Sequence, residues 1–280
     1  MRSVINQLVQ LQELVLIRDE QRSLLGVAAK LDRLNADIES LTSTLPPAVK
    51  AKFSQLYHRD HIAVAPLNND RCSICNMQLA TASVQSIRLC RNIQVCPSCA
   101  RILYDPAGSA KWVAVRPKRS EGGPKSGIAR FSAENLMIPK LQAKTKEDAI
   151  KELAALMEKE RFIDDAQKLA DAALVRERIV STAIGNGLAF PHVRGIEGGG
   201  LALALGVSRD GIAFDDKASG KCHFIFFSTI PTAVSAFYLK LIAGVSEAFQ
   251  KAPNRAAILD AKDSMTLWKA LSKATRYTLK

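Results

Sequence analysis

Two closely spaced pairs of cysteines constrain the fold of this chain more than any other feature of its sequence. They are Cys72-Ser73-Ile74-Cys75 and Cys96-Pro97-Ser98-Cys99, and twenty residues separate them. Each pair can form a tight turn that offers two thiolates, and the intervening chain is long enough to bring both turns to one tetrahedral ion. Because zinc prefers such soft ligands, the spacing predicts a zinc site with four ligands: Cys72, Cys75, Cys96 and Cys99. A redox-active pair is the alternative, but no thioredoxin-like pattern surrounds these motifs.

The other cysteines and the lack of a targeting segment favour a reducing compartment. The sequence has no run of about 18 apolar residues and no signal-peptide pattern at its N-terminus. We therefore expect a cytoplasmic protein without membrane insertion, in which Cys90 and Cys222 are structural thiols.

An apolar stripe runs through the N-terminal part of the chain. Leu8, Leu11 and Val15 begin a three-four spacing that continues to about Ser43, with a change of phase near residues 18–23. The pattern predicts a helical or coiled-coil segment over residues 1–61, interrupted at Pro46-Pro47. A single helix cannot bury such a stripe alone. It can pack on the short helix that follows Pro47 or pair with a second copy of the chain, and we expect the homodimer.

Positive charge is concentrated in the middle of the chain. The formal net charge is +12, and residues 71–130 contain ten basic and two acidic side chains. Residues 111–130 combine this charge with Gly and Pro, which predicts a basic linker. Such cations can neutralise phosphates, so nucleic acid is a candidate partner. Only Tyr104 and Trp112 are available for base stacking within residues 71–130. A plain solvated linker is the simpler alternative.

The C-terminal half has the pattern of an α/β domain. Apolar runs at Leu201–Val207 and Phe224–Ile230 predict strands, and helical spacing predicts closing helices over 238–249 and 256–274. An α/β fold is therefore expected for residues 131–280.

A second candidate site lies in the stretch from Arg176 to Arg194. A Gly185-Asn186-Gly187 turn, a short apolar run and Pro191 lead to His192 at the end of a predicted strand. Imidazole is a good nucleophile near neutral pH, and arginine forks and backbone N–H groups hold phosphate oxygens. These local features predict an anion-handling histidine, although a packed loop histidine shows the same features.

The same stretch resembles the active-site signature of a known family. Arg176-Glu177, Ser181-Thr182 and Gly185-Asn186-Gly187-Leu188-Ala189-Phe190-Pro191-His192 are similar to enzyme IIA of the mannitol/fructose class, including its nitrogen-regulatory branch, in the bacterial phosphotransferase system. The resemblance implies that residues 131–280 form a mixed sheet flanked by helices and that His192 accepts a phosphoryl group from the phosphocarrier protein HPr. It also implies that Arg176 stabilises the phosphate, that Thr182 belongs to the site, and that enzyme IIB or a regulatory protein acts downstream.

One position departs from the family pattern. The family commonly has a second histidine before a Leu-Lys-Leu-like run, and this chain has Tyr238 there, before Leu239-Lys240-Leu241. Tyrosine can donate a hydrogen bond but carries no positive charge near neutral pH. We therefore expect phosphorylation of His192 to survive and onward transfer to slow, which suits regulation better than transport.

The N-terminal half also resembles a known type of protein. Leu11-Gln12-Glu13-Leu14, the two cysteine pairs and Cys99-Ala100-Arg101-Ile102-Leu103-Tyr104 are similar to bacterial proteins that join a coiled coil to a C4-type zinc ribbon, although Ala100 replaces the usual glycine. The resemblance implies binding to nucleic acid or an adaptor role. The expected regions are a helical segment (1–61), a C4 zinc ribbon (62–110), a basic linker (111–130) and an enzyme IIA-like phosphocarrier domain (131–280). The expected function is regulatory phosphoryl transfer, with a non-catalytic adaptor or nucleic-acid-binding protein as the alternative.

Overall fold

The chain folds into two units, Met1–Gly108 and Ser109–Lys280. The structure is a computed structural model that describes residues 1–25, 31–106, 126–214 and 220–279. Most of the predicted basic linker, residues 111–125, lies outside the described residues.

Three helices form the first part of the N-terminal unit. They are α1 (Arg2–Leu25), α2 (Asp32–Ser43) and α3 (Pro47–Asp60), and α1 packs against α2. The apolar stripe of α1 is buried in one core with residues from α3 and the following sheet: Leu8, Leu11, Val15, Leu45, Phe53, Leu56, Ala63, Val64 and Ile102. The stripe is therefore covered inside its own unit, which is the first of the two packing arrangements that the sequence left open.

A small sheet follows the helices. Its strands are β1 (Val64–Asn68), β2 (Arg71–Cys72), β3 (Gln94–Val95) and β4 (Ile102–Tyr104), in the order β2-β1-β4-β3. Two antiparallel hairpins, β1–β2 and β3–β4, meet through the parallel pair β1–β4. Helix α4 (Thr81–Arg88) connects the hairpins and buries Val84 and Ile87 beside Cys72 and Cys96. This arrangement brings the two cysteine pairs together.

The side chain of Gln12 joins the first helix to this sheet. Its Oε1 accepts hydrogen bonds from the amides of Ala63 and Val64, both at 2.7 Å, and its Nε2 donates to the Val64 carbonyl at 2.8 Å. Strand β2 pairs only with Leu67 and Asn68, farther along β1. The side-chain amide of Gln12 therefore satisfies backbone hydrogen-bonding groups at the start of β1, as a neighbouring strand would.

The C-terminal unit is built on a six-stranded mixed sheet. Two short 3₁₀ helices, Gly127–Arg130 and Glu134–Leu136, precede it, and Ile128 is buried. The strands are β5 (Met137–Ile138), β6 (Ala183–Ile184), β7 (Leu188–Ala189), β8 (His192–Arg194), β9 (Ala202–Ile212) and β10 (Cys222–Ile230). Their order is β5-β9-β10-β7-β6, and β8 also pairs with β10. The predicted mixed α/β fold is confirmed, and it includes residues 127–130 of the predicted linker.

Two groups of helices pack in this unit. One group is α5 (Lys146–Lys159) with α6 (Ala166–Ile179), and the other is α7 (Ser235–Gln250), α8 (Ala252–Leu259) and α9 (Ser264–Thr275). The helical region predicted over 256–274 is divided between α8 and α9, because Asp263 accepts a hydrogen bond from the Thr266 amide at 2.8 Å and so caps a new helix.

Within the described residues, one stretch, Thr232–Gln250, is long and apolar enough to cross a membrane by length and composition. Half of this stretch is buried inside the structure. Tyr238, Leu241, Ile242 and Phe249 are among its buried residues, so packing in the domain core accounts for its apolar character.

Candidate active site and metal centre

The backbone around His192 is an interrupted strand beside β10. Both β7 and β8 pair with β10 in parallel, and Phe190 and Pro191 separate them. The Pro191 carbonyl accepts a hydrogen bond from the Ser228 amide at 3.1 Å, which keeps the interruption against β10. His192 is consequently the first residue of β8, whereas the sequence predicted it at the end of a strand.

The turn before β7 has a conformation that few residues tolerate. Asn186 and Gly187 have positive φ angles of 62° and 73°. The Gly187 carbonyl accepts hydrogen bonds from the amides of His223 and Phe224 at 2.7 and 3.0 Å. A Cβ atom on Gly187 would lie 3.1 Å from the His223 ring, so glycine allows the turn to approach β10 closely.

The imidazole of His192 has a defined orientation. The residue is fully buried, and its Nδ1 lies 3.0 Å from the Phe190 carbonyl oxygen. Because a carbonyl oxygen can only accept, Nδ1 carries the proton in the neutral ring and Nε2 carries the lone pair. The hydrogen bond to Phe190 therefore selects Nε2 as the nucleophilic nitrogen.

Tyr238 of α7 covers this imidazole. The centroids of the His192 and Tyr238 rings are 5.1 Å apart, and Tyr238 is also fully buried. The guanidinium carbon of Arg194 also lies near this ring, 6.0 Å from its centroid. His192 and Arg194 are two positions apart in β8 and so project from the same face of the sheet.

The predicted residues Arg176 and Thr182 lie at the end of α6 and in the loop after it. Arg176 is buried, and its Nη1 donates to the Val180 carbonyl at 2.7 Å. The Phe190 amide donates to the Thr182 carbonyl at 3.2 Å, so the backbone of Phe190 links Thr182 to His192. The structure thus connects Thr182 to the histidine and fixes Arg176 to the same loop.

A buried carboxylate shapes this loop. Glu177 accepts hydrogen bonds from the Thr182 amide at 2.8 Å and from the Ser181 hydroxyl at 3.1 Å. Burial raises the pKa of Glu177, and the hydrogen bonds from Thr182 oppose that increase. The sequence contained Glu177 within its motif but gave no sign of this positioning role.

Ser228 lies beside His192, and the sequence analysis did not identify it. It is fully buried in β10, directly opposite His192 in the parallel register. Its Oγ has no hydrogen-bond partner within the described part of the chain. Only the strand register reveals this proximity, since thirty-six positions separate the two residues.

Comparison with known proteins assigns this unit to a family. The model for the phosphoenolpyruvate-dependent sugar phosphotransferase system, EIIA 2, matches residues 130–274, just over half of the chain. The chain belongs to this EIIA family. The match agrees with the resemblance seen at the Pro191-His192 motif and leaves residues 1–129 outside it.

Three relatives align with less than half of the chain. The fructose-specific EIIABC component of Bacillus subtilis (strain 168) is 27% identical over 122 residues, which are 44% of this chain and only 19% of that protein. The fructose-specific EIIA component of Haloferax volcanii is 27% identical over 129 residues, which are 46% of this chain and 84% of that protein. The nitrogen regulatory protein of Pseudomonas aeruginosa is 25% identical over 125 residues, 44% and 80% of the two chains.

Outside the EIIA match, the four predicted cysteine ligands form one cluster. Their Sγ atoms all lie within 4.8 Å of one another, with 3.7 Å between Cys72 and Cys99 and 3.4 Å between Cys75 and Cys96. Four sulfurs at about 2.3 Å from a tetrahedral zinc ion would be about 3.8 Å apart. The cluster can therefore hold a divalent metal ion with small adjustments of the side chains.

The two cysteine turns have the same backbone design. The amide of Asn76 donates to the Cys72 carbonyl, and the amide of Ala100 donates to the Cys96 carbonyl, both at 2.9 Å. Asn76 and Ala100 have positive φ angles of 59° and 62°. The position where the resemblance expects glycine is therefore a left-handed one, and Ala100 occupies it at some cost.

Electrostatics in the cluster differ between the thiols. Burial raises the pKa of Cys72 to about 12. At Cys75 burial also raises the pKa, but hydrogen bonds, above all from the Met77 amide, bring the pKa down to about 6. A bound cation would deprotonate all four thiols and remove this difference.

Proposed function

We propose that the protein is a regulatory phosphoryl carrier of the phosphotransferase system, with His192 as the phosphoacceptor. The observation that carries this proposal is the hydrogen bond between Nδ1 of His192 and the Phe190 carbonyl, within the EIIA unit. It orients the neutral imidazole so that the Nε2 lone pair can attack phosphorus.

The transfer exchanges one P–N bond for another. The Nε2 lone pair of His192 forms a bond to phosphorus while the P–N bond of the phosphohistidine in HPr breaks. The donor ring leaves with that electron pair as a neutral imidazole. The proton on Nδ1 of His192 stays on the ring and donates to the Phe190 carbonyl, which stabilises the positive phosphoimidazolium. Arg176 stabilises the phosphoryl charge in this proposal.

Acceptance from a protein donor includes an opening step. His192 and Tyr238 are both fully buried, so a second protein cannot reach Nε2 while these side chains keep their present packing. The start of α7, which carries Tyr238 over the imidazole, is the element whose movement would expose it. Such movements in enzymes take microseconds to milliseconds and can limit the rate of transfer.

A regulatory role fits the composition of the site. Tyr238 lies where the family commonly has a second imidazole, so the site has one fewer group that can carry a positive charge near neutral pH. The name of the Pseudomonas relative points to regulation as well. The downstream partner in this proposal is a regulatory protein or an enzyme IIB, in the cytoplasm.

In this proposal the N-terminal unit is a helical or coiled-coil segment joined to a C4 zinc ribbon. The sulfur donors fit zinc, which would be held by Cys72, Cys75, Cys96 and Cys99 and would stabilise the β1–β4 sheet. The predicted homodimer is not part of the proposal, because the stripe at Leu8, Leu11 and Val15 is already buried. Nucleic-acid binding is not part of it either, since most of the basic segment lies outside the described residues.

The test is phosphorylation of the full chain with enzyme I, HPr and labelled phosphoenolpyruvate. We expect an acid-labile, base-stable label on the parent protein and none on His192→Ala. The matched control is His223→Ala, which removes a histidine whose Nδ1 likewise lies 3.0 Å from a backbone carbonyl, that of Ser208. Equal labelling of His192→Ala and the parent protein would refute the assignment.

A further inference from the structure

Two side chains beside His192 have no role in the acceptor chemistry described so far. Ser228 lies opposite His192 on β10, and Arg194 follows it by two positions on β8. Residues paired across adjacent strands project from the same face of a sheet, as do alternate residues of one strand. Ser228, His192 and Arg194 therefore present their side chains on one face.

The buried hydroxyl group of Ser228 lowers the stability of the fold in its present surroundings. The residue is fully buried, and its Oγ has no hydrogen-bond partner among the described residues. Buried hydroxyl groups are nearly always hydrogen-bonded, because desolvation without a partner destabilises the fold. Alanine would avoid this penalty in the same space. A serine here is explained if a ligand with an acceptor atom occupies the position during function.

Arg194 supplies the positive charge on this face. Its guanidinium carbon lies 6.0 Å from the Tyr238 ring centroid, and its Nε and Nη1 atoms are buried. Two residues of a strand span about 6.6 Å, a distance that an arginine side chain covers easily. The guanidinium and the imidazole thus both lie near the Tyr238 ring, on the face of the sheet that also carries Ser228.

We propose that Ser228 and Arg194 hold the phosphoryl group on His192. The Ser228 hydroxyl donates to one phosphoryl oxygen, and the Arg194 guanidinium neutralises charge on the others in a forked contact. The proposal rests on the assignment of His192 as phosphoacceptor. It also explains how a site with tyrosine at position 238 retains a second cation besides Arg176.

The experiment uses a small donor so that protein docking does not enter. Phosphoramidate transfers its phosphoryl group to an imidazole nitrogen as its P–N bond breaks and ammonia leaves. We would follow phosphohistidine formation in the full chain by ³¹P NMR. For each variant we would determine the maximal rate and the half-saturating phosphoramidate concentration separately. Arg194→Gln should slow the maximal rate about ten- to a hundredfold, and Arg194→Lys should recover part of that loss. Ser228→Ala should slow it about five- to tenfold.

Two matched controls separate this role from a structural one. Thr229→Val also removes a fully buried hydroxyl without a partner in the described structure, but from the opposite face of β10. Arg209→Gln removes an exposed guanidinium from the distant half of β9. Both controls should react within about twofold of the parent protein, well below the effect of a lost hydrogen bond to a charged group. Ser228→Ala and Thr229→Val should both unfold at or above the parent temperature.

Parent-like rates in both Ser228→Ala and Arg194→Gln would overturn this inference. If His192 is still labelled in that case, the proposed function stays intact. Loss of rate in Ser228→Ala and Thr229→Val alike would also overturn it, because a general packing effect would then explain the loss. An unlabelled parent protein would remove the proposed function and this inference with it.

Discussion

The two units build their sites in opposite ways. In the N-terminal unit, two tetrapeptides supply all four sulfur atoms, and each tetrapeptide forms its own turn with the same pair of backbone features. In the EIIA unit, His192, Ser228 and Tyr238 come from β8, β10 and α7 and meet only when the sheet and the helix are packed. A cysteine cluster suited to a metal ion can therefore be recognised from local spacing, whereas the proposed phosphoryl site depends on strand register, which spacing does not reveal.

The largest expected effect is loss of the metal from the local site. Cys72→Ser or Cys96→Ser should abolish binding of about one zinc per chain, because structural zinc contributes on the order of 10 kcal/mol to the folding of such modules. Metal analysis would measure the loss, and hydrogen exchange should show residues 62–104 opening. Cys90→Ser, which removes a thiol outside the cluster, is the control and should keep the metal.

Phosphorylation of His192 should be unchanged in these cysteine variants, since the two sites belong to different units. A parallel loss of zinc and phosphoryl acceptance would break the comparison, because it would show that the units depend on one another.

An intermediate effect is expected from Tyr238→His, at the proposed phosphoryl site around His192. The Tyr238 ring centroid lies 5.1 Å from that of His192, so an imidazole in its place would add a partly positive donor near the phosphoacceptor. One such charge-assisted contact changes a rate about ten- to a hundredfold. We expect transfer to a cognate enzyme IIB to accelerate by this amount and acceptance from HPr to change less. Quenched time courses of labelled phosphate would measure the rate of acceptance from HPr and the rate of transfer to enzyme IIB.

Tyr238→Phe is the control for that substitution, because it keeps the ring over His192 and removes only the hydroxyl group. Rapid dephosphorylation of the unmodified protein by an enzyme IIB from the same cell would contradict the expectation and favour a transport role.

The smallest effect should come from Ala100→Gly. Ala100 has a φ angle of 62°, a conformation that costs a residue with a Cβ atom about 1–2 kcal/mol, whereas the added freedom of glycine in the unfolded chain offsets part of the gain. We expect the free energy of unfolding of the N-terminal unit to rise by about 0.5–1 kcal/mol. Thermal unfolding with zinc present would measure it, and no change would show that the turn already relaxes around alanine.

Local patterns predicted several parts of the structure correctly. Thr145 stands three positions before Asp148, and Ile150, Leu153 and Met157 follow at helical spacing, a pattern that predicts an N-cap and one apolar helical face. In the structure Thr145 caps α5 by accepting from the Asp148 amide at 3.1 Å, and that face is buried. These features depend on neighbours three or four positions apart, which the sequence displays directly.

Features that depend on distant parts of the chain were not predictable. The stripe on α1 did not show which of its two possible partners covers it, because Phe53 and Ile102, which do so, are far away in sequence. The complete burial of His192 likewise depends on Tyr238, forty-six positions later. Periodicity shows that a surface needs a partner, but the partner is selected by tertiary packing.

The hydrogen bonds of Gln12 bear on how this protein can be divided for engineering. A cut between residues 61 and 62, the boundary that the sequence predicts, would remove the side chain that bonds to Ala63 and Val64. The start of β1 would then present bare donors and acceptors along an open edge, and such edges invite pairing with other chains. A metal-binding module taken from this protein should therefore be excised together with α1, since without it the fragment is expected to aggregate rather than to remain monomeric.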